Sequence, residues 1–98
     1  MLFLVHARDK AGALDVRLAN REAHVAWLTS AGSSVKAAGP WLNEAGDMAG
    51  SLLVVEAEDR AELGAWLDTD PYKQAGLFEA VEIAPWRWLI NPPAGLVS

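Results

Sequence analysis

SLLVVEA, at residues 51–57, combines β-branched and apolar side chains, and this composition predicts a buried strand. Residues 59–62 are DRAE, and the D-x-x-E spacing is that of a helix capping box. A helix is therefore predicted from Asp59 to about Leu67. This strand and this helix are the most clearly marked pair of elements in the chain, and the other elements are placed around them.

The remaining elements are apolar runs separated by glycine and proline residues. They are strands at 2–7, 33–38 (closed by Gly39-Pro40) and 77–83, a long helix at 14–31, a loop or hairpin connection at 41–50, and a short helix that Asp70-Pro71 starts and Gly76 ends. The resulting order, βαββαβ, is the ferredoxin-like split βαβ pattern. It predicts an α+β domain with a four-stranded antiparallel sheet and helices on one face.

One face of such a sheet has no cover within the chain. The sequence has 98 residues, of which 52% are hydrophobic and five are tryptophan, which is a large apolar content for so small a core. Two copies that pack sheet against sheet would bury the second face. We therefore predict a homodimer with two-fold symmetry.

Composition excludes several classes of protein. The chain has no cysteine, which excludes a disulfide scaffold, a Cys-ligated metal and a thiol nucleophile. Eight basic and 13 acidic residues give a net charge of −5, which disfavours a nucleic-acid partner. No signal-peptide pattern, no apolar run approaching the roughly 20 residues of a membrane span and no nucleotide-binding glycine motif is visible. We expect a cytoplasmic protein with no membrane partner and no cofactor.

Basic side chains line one face of the long helix. Arg17, Arg21, His24 and Leu28 are spaced at i, i+4, i+7 and i+11. One interpretation is a face that binds an anion through arginine and moves a proton through histidine. The other is a solvated face whose charge Glu22 balances. The spacing alone leaves both interpretations open.

Asp70 also has two interpretations. It precedes Pro71, so it is a natural helix cap. Its carboxylate can equally orient a histidine ring. The two roles are compatible because a carboxylate has two oxygens. Ser51 either begins a strand or presents a hydroxyl at a pocket mouth, although no G-x-S-x-G motif surrounds it.

Two further side chains are candidates on weaker grounds. Trp41, which follows Gly39-Pro40, is the tryptophan that best suits a ligand-lining position. His6, in the first strand, could join His24 and Asp70 in a two-His, one-carboxylate metal site, but no short ligand spacing supports it and no metal is expected.

Taken together, several short motifs resemble the YCII-related (YciI-like) family, and the match extends from about Leu2 to Trp88. The motifs are Arg17-x-x-x-Arg21-x-x-His24, Gly39-Pro40, Gly50-Ser51, the D-P-Y-x-x-A-G segment at 70–76, and Pro85-Trp86. The resemblance implies a dimeric α+β barrel, in which two ferredoxin-like subunits pack sheet against sheet. We expect a single domain at residues 1–90, and the proline and glycine residues at 91–98 predict a C-terminal tail that leaves it.

The resemblance also implies a function. It carries a His–Asp dyad onto His24 and Asp70, and pocket positions onto Arg21, Ser51 and Tyr72. The family resembles muconolactone isomerase in fold, and one relative is a dehydrochlorinase of a chlorinated hydroxyquinol. The expectation is a cofactor-independent isomerase or lyase for an acidic or phenolic small molecule, with Arg17 or Arg21 steadying its negative charge. The alternatives are a non-catalytic dimeric ligand-binding module and a cofactor-free oxygenase.

Overall fold

The strands and helices follow the predicted order. The computed structural model describes residues 1–93 of the chain. Its elements are β1 (Leu2–Asp9), α1 (Leu14–Ser30), a 3-10 turn (Gly32–Ser34), β2 (Val35–Leu42), β3 (Met48–Glu56), α2 (Arg60–Leu67), α3 (Pro71–Gln74) and β4 (Phe78–Pro85).

The four strands form one antiparallel sheet in the order β2-β3-β1-β4. β1 and β3 are central, and β2 and β4 are the edges. Connections of this kind through α1 and α2 make the fold ferredoxin-like, so the predicted α+β class is confirmed.

The core lies between the sheet and the helices. Val5 pairs with Leu53 on one side and with Ile83 on the other, so these three side chains point to the same face. They pack with other apolar side chains of the sheet and of α2, among them Phe3, Val55, Leu63 and Leu67. The predicted cap of α2 is present, since the carboxylate of Asp59 accepts a hydrogen bond of 2.8 Å from the amide of Glu62.

The second strand differs from its prediction. Gly39-Pro40 lies inside β2 and does not close it, and residues 41–42 continue the strand where a connection was expected. β2 is an edge strand, and at an edge a proline that donates no hydrogen bond is tolerated. A hairpin does join β2 to β3, but it is confined to residues 43–47, where Gly46 has a φ of 88°.

The other face of the sheet carries Leu52, which pairs with His6 and is 41% exposed. By strand alternation this face is opposite to the core that the helices cover. Within residues 1–93, no helix has the length and apolar character needed to cross a membrane.

Candidate active site

His24 and Asp70 meet in the interior although 46 residues separate them. His24 lies in the middle of α1, and Asp70 immediately precedes α3. The ring Nδ1 of His24 lies 2.8 Å from Oδ1 of Asp70. The two residues are only 6% and 2% exposed, so the solvated-face interpretation is wrong for His24. A buried carboxylate beside one ring nitrogen holds the imidazole in a fixed orientation.

Both interpretations of Asp70 hold at the same time. Its Oδ1 also accepts a hydrogen bond of 2.9 Å from the amide of Tyr72, which caps α3, and Pro71 occupies the first turn. The two roles appeared compatible because each could use a different oxygen of the carboxylate. The structure assigns both to Oδ1, so the helix cap itself fixes the oxygen that contacts His24.

Tyr72 lies against the His24 ring. The two rings are stacked with centroids 3.8 Å apart, and the guanidinium carbon of Arg17 is 4.6 Å from the centroid of the Tyr72 ring. Burial raises the pKa of the Tyr72 phenol, while the positive charges of Arg17 and Arg21 oppose that increase. The phenol is therefore uncharged at neutral pH, and it contributes packing to the site.

Arg17 is a buried structural group. It is 2% exposed, and its Nε and Nη2 donate to the two carboxylate oxygens of Asp9 at 2.7 and 3.0 Å. Nη2 also donates to the hydroxyl of Ser51 at 2.8 Å. The solvated-face interpretation is wrong here too, because Asp9 of β1 provides the compensating charge. Sequence reasoning missed Asp9, although it lies on the same odd-numbered face of β1 as Phe3.

Arg21 lies one helical turn after Arg17 and, unlike Arg17, is exposed. Its side chain forms no hydrogen bond or ion pair with any residue of 1–93. It borders a cavity of ≈150 Å³, which we call the dyad cavity. Other residues of the dyad cavity include Arg17, His24, Leu28, Ala38, Gly39, Pro40, Ser51, Leu53 and Tyr72. The guanidinium of Arg21 is thus available to a bound anion.

The second ring nitrogen of His24 remains accessible. Nε2 has no hydrogen-bond partner among residues 1–93. Every side-chain nitrogen or oxygen that is inaccessible in this part of the chain has a partner, so Nε2 is not inaccessible. Nε2 therefore keeps access to a molecule in the dyad cavity, whose wall includes His24. The arrangement combines a positioned imidazole, a free guanidinium and the Ser51 hydroxyl.

The structure does not bring Trp41 to the dyad cavity. Its side chain lies on the opposite face of the sheet, where it stacks on His6 at 5.3 Å and donates from Nε1 to the carbonyl of Ala7 at 2.9 Å. Gly50 makes this possible, because a Cβ there would lie 2.1 Å from Nε1. His6 is consequently remote from His24, and residues 1–93 contain no cluster of three potential metal ligands.

Comparison with known proteins settles the family. The model of the YCII-related domain matches residues 1–87. The chain belongs to the YCII-related family. It is 36% identical over 95 residues to the protein YciI of Escherichia coli, covering 89% of this chain and 97% of that protein. An uncharacterized protein of Haemophilus influenzae is 31% identical over 96 residues, with the same coverage of both chains.

Solved structures agree with the YCII assignment. The 5-chloro-2-hydroxyhydroquinone dehydrochlorinase TftG of Burkholderia phenoliruptrix, in complex with 2,5-dihydroxybenzoquinone, is 37% identical and superposes with a TM-score of 0.82. The match covers 89% of this chain and 94% of TftG. An antibiotic biosynthesis monooxygenase has a TM-score of 0.55 at 17% identity, which shows a shared fold alone.

Proposed function

We propose that this protein is a cofactor-independent acid–base enzyme acting on a small hydroxylated ring, as an isomerase or a lyase that eliminates halide. One observation carries the proposal: Asp70 holds Nδ1 of His24, and Nε2 opens on a cavity that contains an unpaired guanidinium. With the proton on Nδ1 donated to Asp70, Nε2 has a free lone pair and acts as general base.

Each polar group then has a role. His24 removes a proton from a ring hydroxyl and returns it to a ring carbon, and Asp70 stabilises the imidazolium formed in between. Arg21 stabilises the negative charge on the ring oxygen. Ser51 accepts from Arg17, so its own hydroxyl hydrogen is free to donate to the ring.

For a chlorinated hydroquinone the reaction balances without an oxidant. Protonation of the carbon that bears chlorine converts one hydroxyl into a carbonyl, and that hydroxyl's proton passes to His24. Loss of the proton from the hydroxyl para to this carbonyl forms a second carbonyl, and chloride leaves with the electron pair of the C–Cl bond. The substrate loses H⁺ and Cl⁻ and becomes a quinone. The similarity to TftG supports this substrate class.

The test is chloride release from 5-chloro-2-hydroxyhydroquinone by the purified protein. His24→Asn is expected to lower the rate by about 10²–10⁴-fold, the usual contribution of one acid–base group. Asp70→Asn is expected to lower it as well, while the capping of α3 persists because asparagine is also a good cap. His6→Asn is the matched control, since His6 lies on the opposite face of the sheet.

Equal rates for His24→Asn and the unmodified protein would exclude the dyad mechanism. Tight binding of 2,5-dihydroxybenzoquinone, followed by tryptophan fluorescence, with no turnover of the chlorinated ring would instead favour the ligand-binding module. Arg21→Met is expected to weaken that binding in either case, because Arg21 is the unpaired cation of the dyad cavity.

We also propose that the protein is a homodimer whose subunits pack through the face of the sheet that carries Leu52. This face is opposite to the helices, and its central side chain is 41% exposed. Light scattering at micromolar concentration is expected to give twice the 10.5 kDa chain mass. Leu52→Glu is expected to shift the mass toward the monomer, and a monomeric unmodified protein would contradict the proposal.

A further inference from the structure

A second cavity, of ≈240 Å³, lies on the helix side of the sheet beside the dyad cavity. β1, β3 and β4 form its floor, and α2 and α3 form its other walls. Most of its lining is apolar: Val5, Leu53, Leu67, Phe78, Val81 and Ile83. Ser51 and Leu53 line both cavities, so β3 forms a shared wall between them. We call this space the second cavity.

The second carboxylate oxygen of Asp70, Oδ2, does not take part in the contact with His24. Oδ1 of Asp70 accepts from both His24 and Tyr72, whereas Oδ2 has no partner among residues 1–93. Asp70 is only 2% exposed. Every side-chain oxygen that is fully inaccessible in the described residues has a hydrogen-bond partner, so Oδ2, which has none, keeps some accessible surface. Asp70 lines the second cavity and not the dyad cavity, and from this we infer that Oδ2, the oxygen without a partner, faces the second cavity.

The charges at this cavity restrict what it can bind. The ammonium of Lys73 is paired with Asp68, and both side chains are exposed at the rim. The charge inside is therefore the carboxylate of Asp70, which repels anions and accepts hydrogen bonds. A carboxylate oxygen with so little access to water is poorly solvated, and a ligand that donates a hydrogen bond to it compensates for the lost water contacts.

We propose that the second cavity is a separate binding site for a small uncharged aromatic molecule that carries one O–H or N–H donor. Apolar walls hold the ring, and Oδ2 of Asp70 accepts the donor's hydrogen. The size is adequate, since an engineered apolar cavity of about 150 Å³ in another protein binds benzene. Nothing in this proposal depends on the proposed reaction, because the ligand occupies the side of Asp70 that does not contact His24.

Gly64 offers a way to fill this cavity alone. It lies in α2, lines the second cavity, and a Cβ built on it meets no atom within 4 Å. Gly64→Leu would project an apolar side chain into the space, and the loss of a helix-interior glycine favours α2. Gly64→Ala adds one methyl and keeps most of the space open. Ala38→Leu is the matched control, because Ala38 lines the dyad cavity on β2.

The experiment titrates phenol, toluene and benzoate into the purified protein and follows binding by NMR. Phenol is expected to bind about tenfold or more tightly than toluene, since it adds a hydrogen bond to a charged group. Gly64→Leu is expected to weaken phenol binding at least tenfold, while Gly64→Ala and Ala38→Leu leave it within about threefold. Thermal melting confirms that each variant is folded.

Three results would overturn the proposal. These are equal affinities for phenol and toluene, unchanged phenol binding in Gly64→Leu, and a loss in Ala38→Leu as large as that in Gly64→Leu, which would place phenol in the dyad cavity. Benzoate is expected to leave the second cavity empty. Chloride release, measured separately in the unmodified protein, decides the proposed reaction, so the two proposals can fail independently.

Discussion

Arg17 and Arg21 are one helical turn apart on α1, and the same substitution is expected to affect stability at Arg17 and anion binding at Arg21. Arg17→Met leaves the carboxylate of Asp9 buried without its partner, since both side chains of this ion pair are almost inaccessible, at 3% and 5% exposed. Arg21→Met removes an exposed cation that has no protein partner in residues 1–93. We therefore expect Arg17 to determine stability and Arg21 to determine anion binding.

The magnitude follows from the burial of the pair. Removing one member of a buried ion pair costs about 3–5 kcal/mol, because the remaining charge is desolvated without compensation. A domain of this size is stable by about 5–15 kcal/mol, so Arg17→Met loses a large fraction of the total. Arg21→Met is expected to change the unfolding free energy by less than about 0.5 kcal/mol, as most exposed substitutions do.

Urea unfolding followed by tryptophan fluorescence measures both free energies. A double variant, Arg17→Met with Asp9→Leu, is expected to recover much of the lost stability, because it no longer leaves a lone buried charge. The reasoning would be refuted if Arg17→Met were no less stable than Arg21→Met. It would also be refuted if the double variant were less stable than Arg17→Met, as expected when two independent destabilising substitutions add.

Two further predictions concern Gly50 and Tyr72. The Cβ of Gly50→Ala would lie 2.1 Å from Nε1 of Trp41 and 2.1 Å from a β1 carbonyl oxygen. Overpacking and loss of the Trp41 hydrogen bond are therefore expected to lower the free energy of unfolding by roughly 2–4 kcal/mol, as measured by urea unfolding. Gly39→Ala on the neighbouring strand, where a Cβ meets nothing within 4 Å, should change stability by less than about 0.5 kcal/mol, and equal losses for the two variants would contradict the argument. The pKa of Tyr72 is raised above 10.0 in the folded protein, so above pH 10 the unfolded chain loses a proton that the folded chain keeps, and stability falls as pH rises. Tyr72→Phe should lose less stability over that range, and tyrosinate absorbance should give a higher apparent pKa folded than unfolded, since Tyr72 is the sole tyrosine of the sequence.

The sequence predicts the order of elements because each one carries a local signal. The helix caps at Asp59 and Asp70, the glycines that end helices and the β-branched run of β3 all act within a few residues. Helical spacing likewise places Arg17, Arg21 and His24 on one face of α1. It does not reveal that Arg17 and His24 are buried while Arg21 is exposed, because burial depends on packing against α3 and the sheet, at residues distant in sequence.

Long-range pairing also accounts for the differences from the sequence prediction. Pro40 marks the end of a strand by local rules, but its position at a sheet edge removes the cost of its missing donor. Trp41 follows a turn-like dipeptide, and only the register of β2 against β3 places it over Gly50, on the face away from His24. Neither fact has a local signal in the sequence.

The segment Asp70-Pro71-Tyr72 uses its local structure to build the site. A helix as short as α3, with four residues, is unstable alone, so its cap and its first-turn proline contribute most of what fixes it. The cap places Oδ1 of Asp70 against Nδ1 of His24, and the next side chain, Tyr72, stacks on the His24 ring. Structural and chemical roles therefore share the same atoms in Asp70. For that reason, a substitution that removes the side-chain oxygen of Asp70 loses the cap together with the charge, whereas Asp70→Asn removes the charge and keeps the cap.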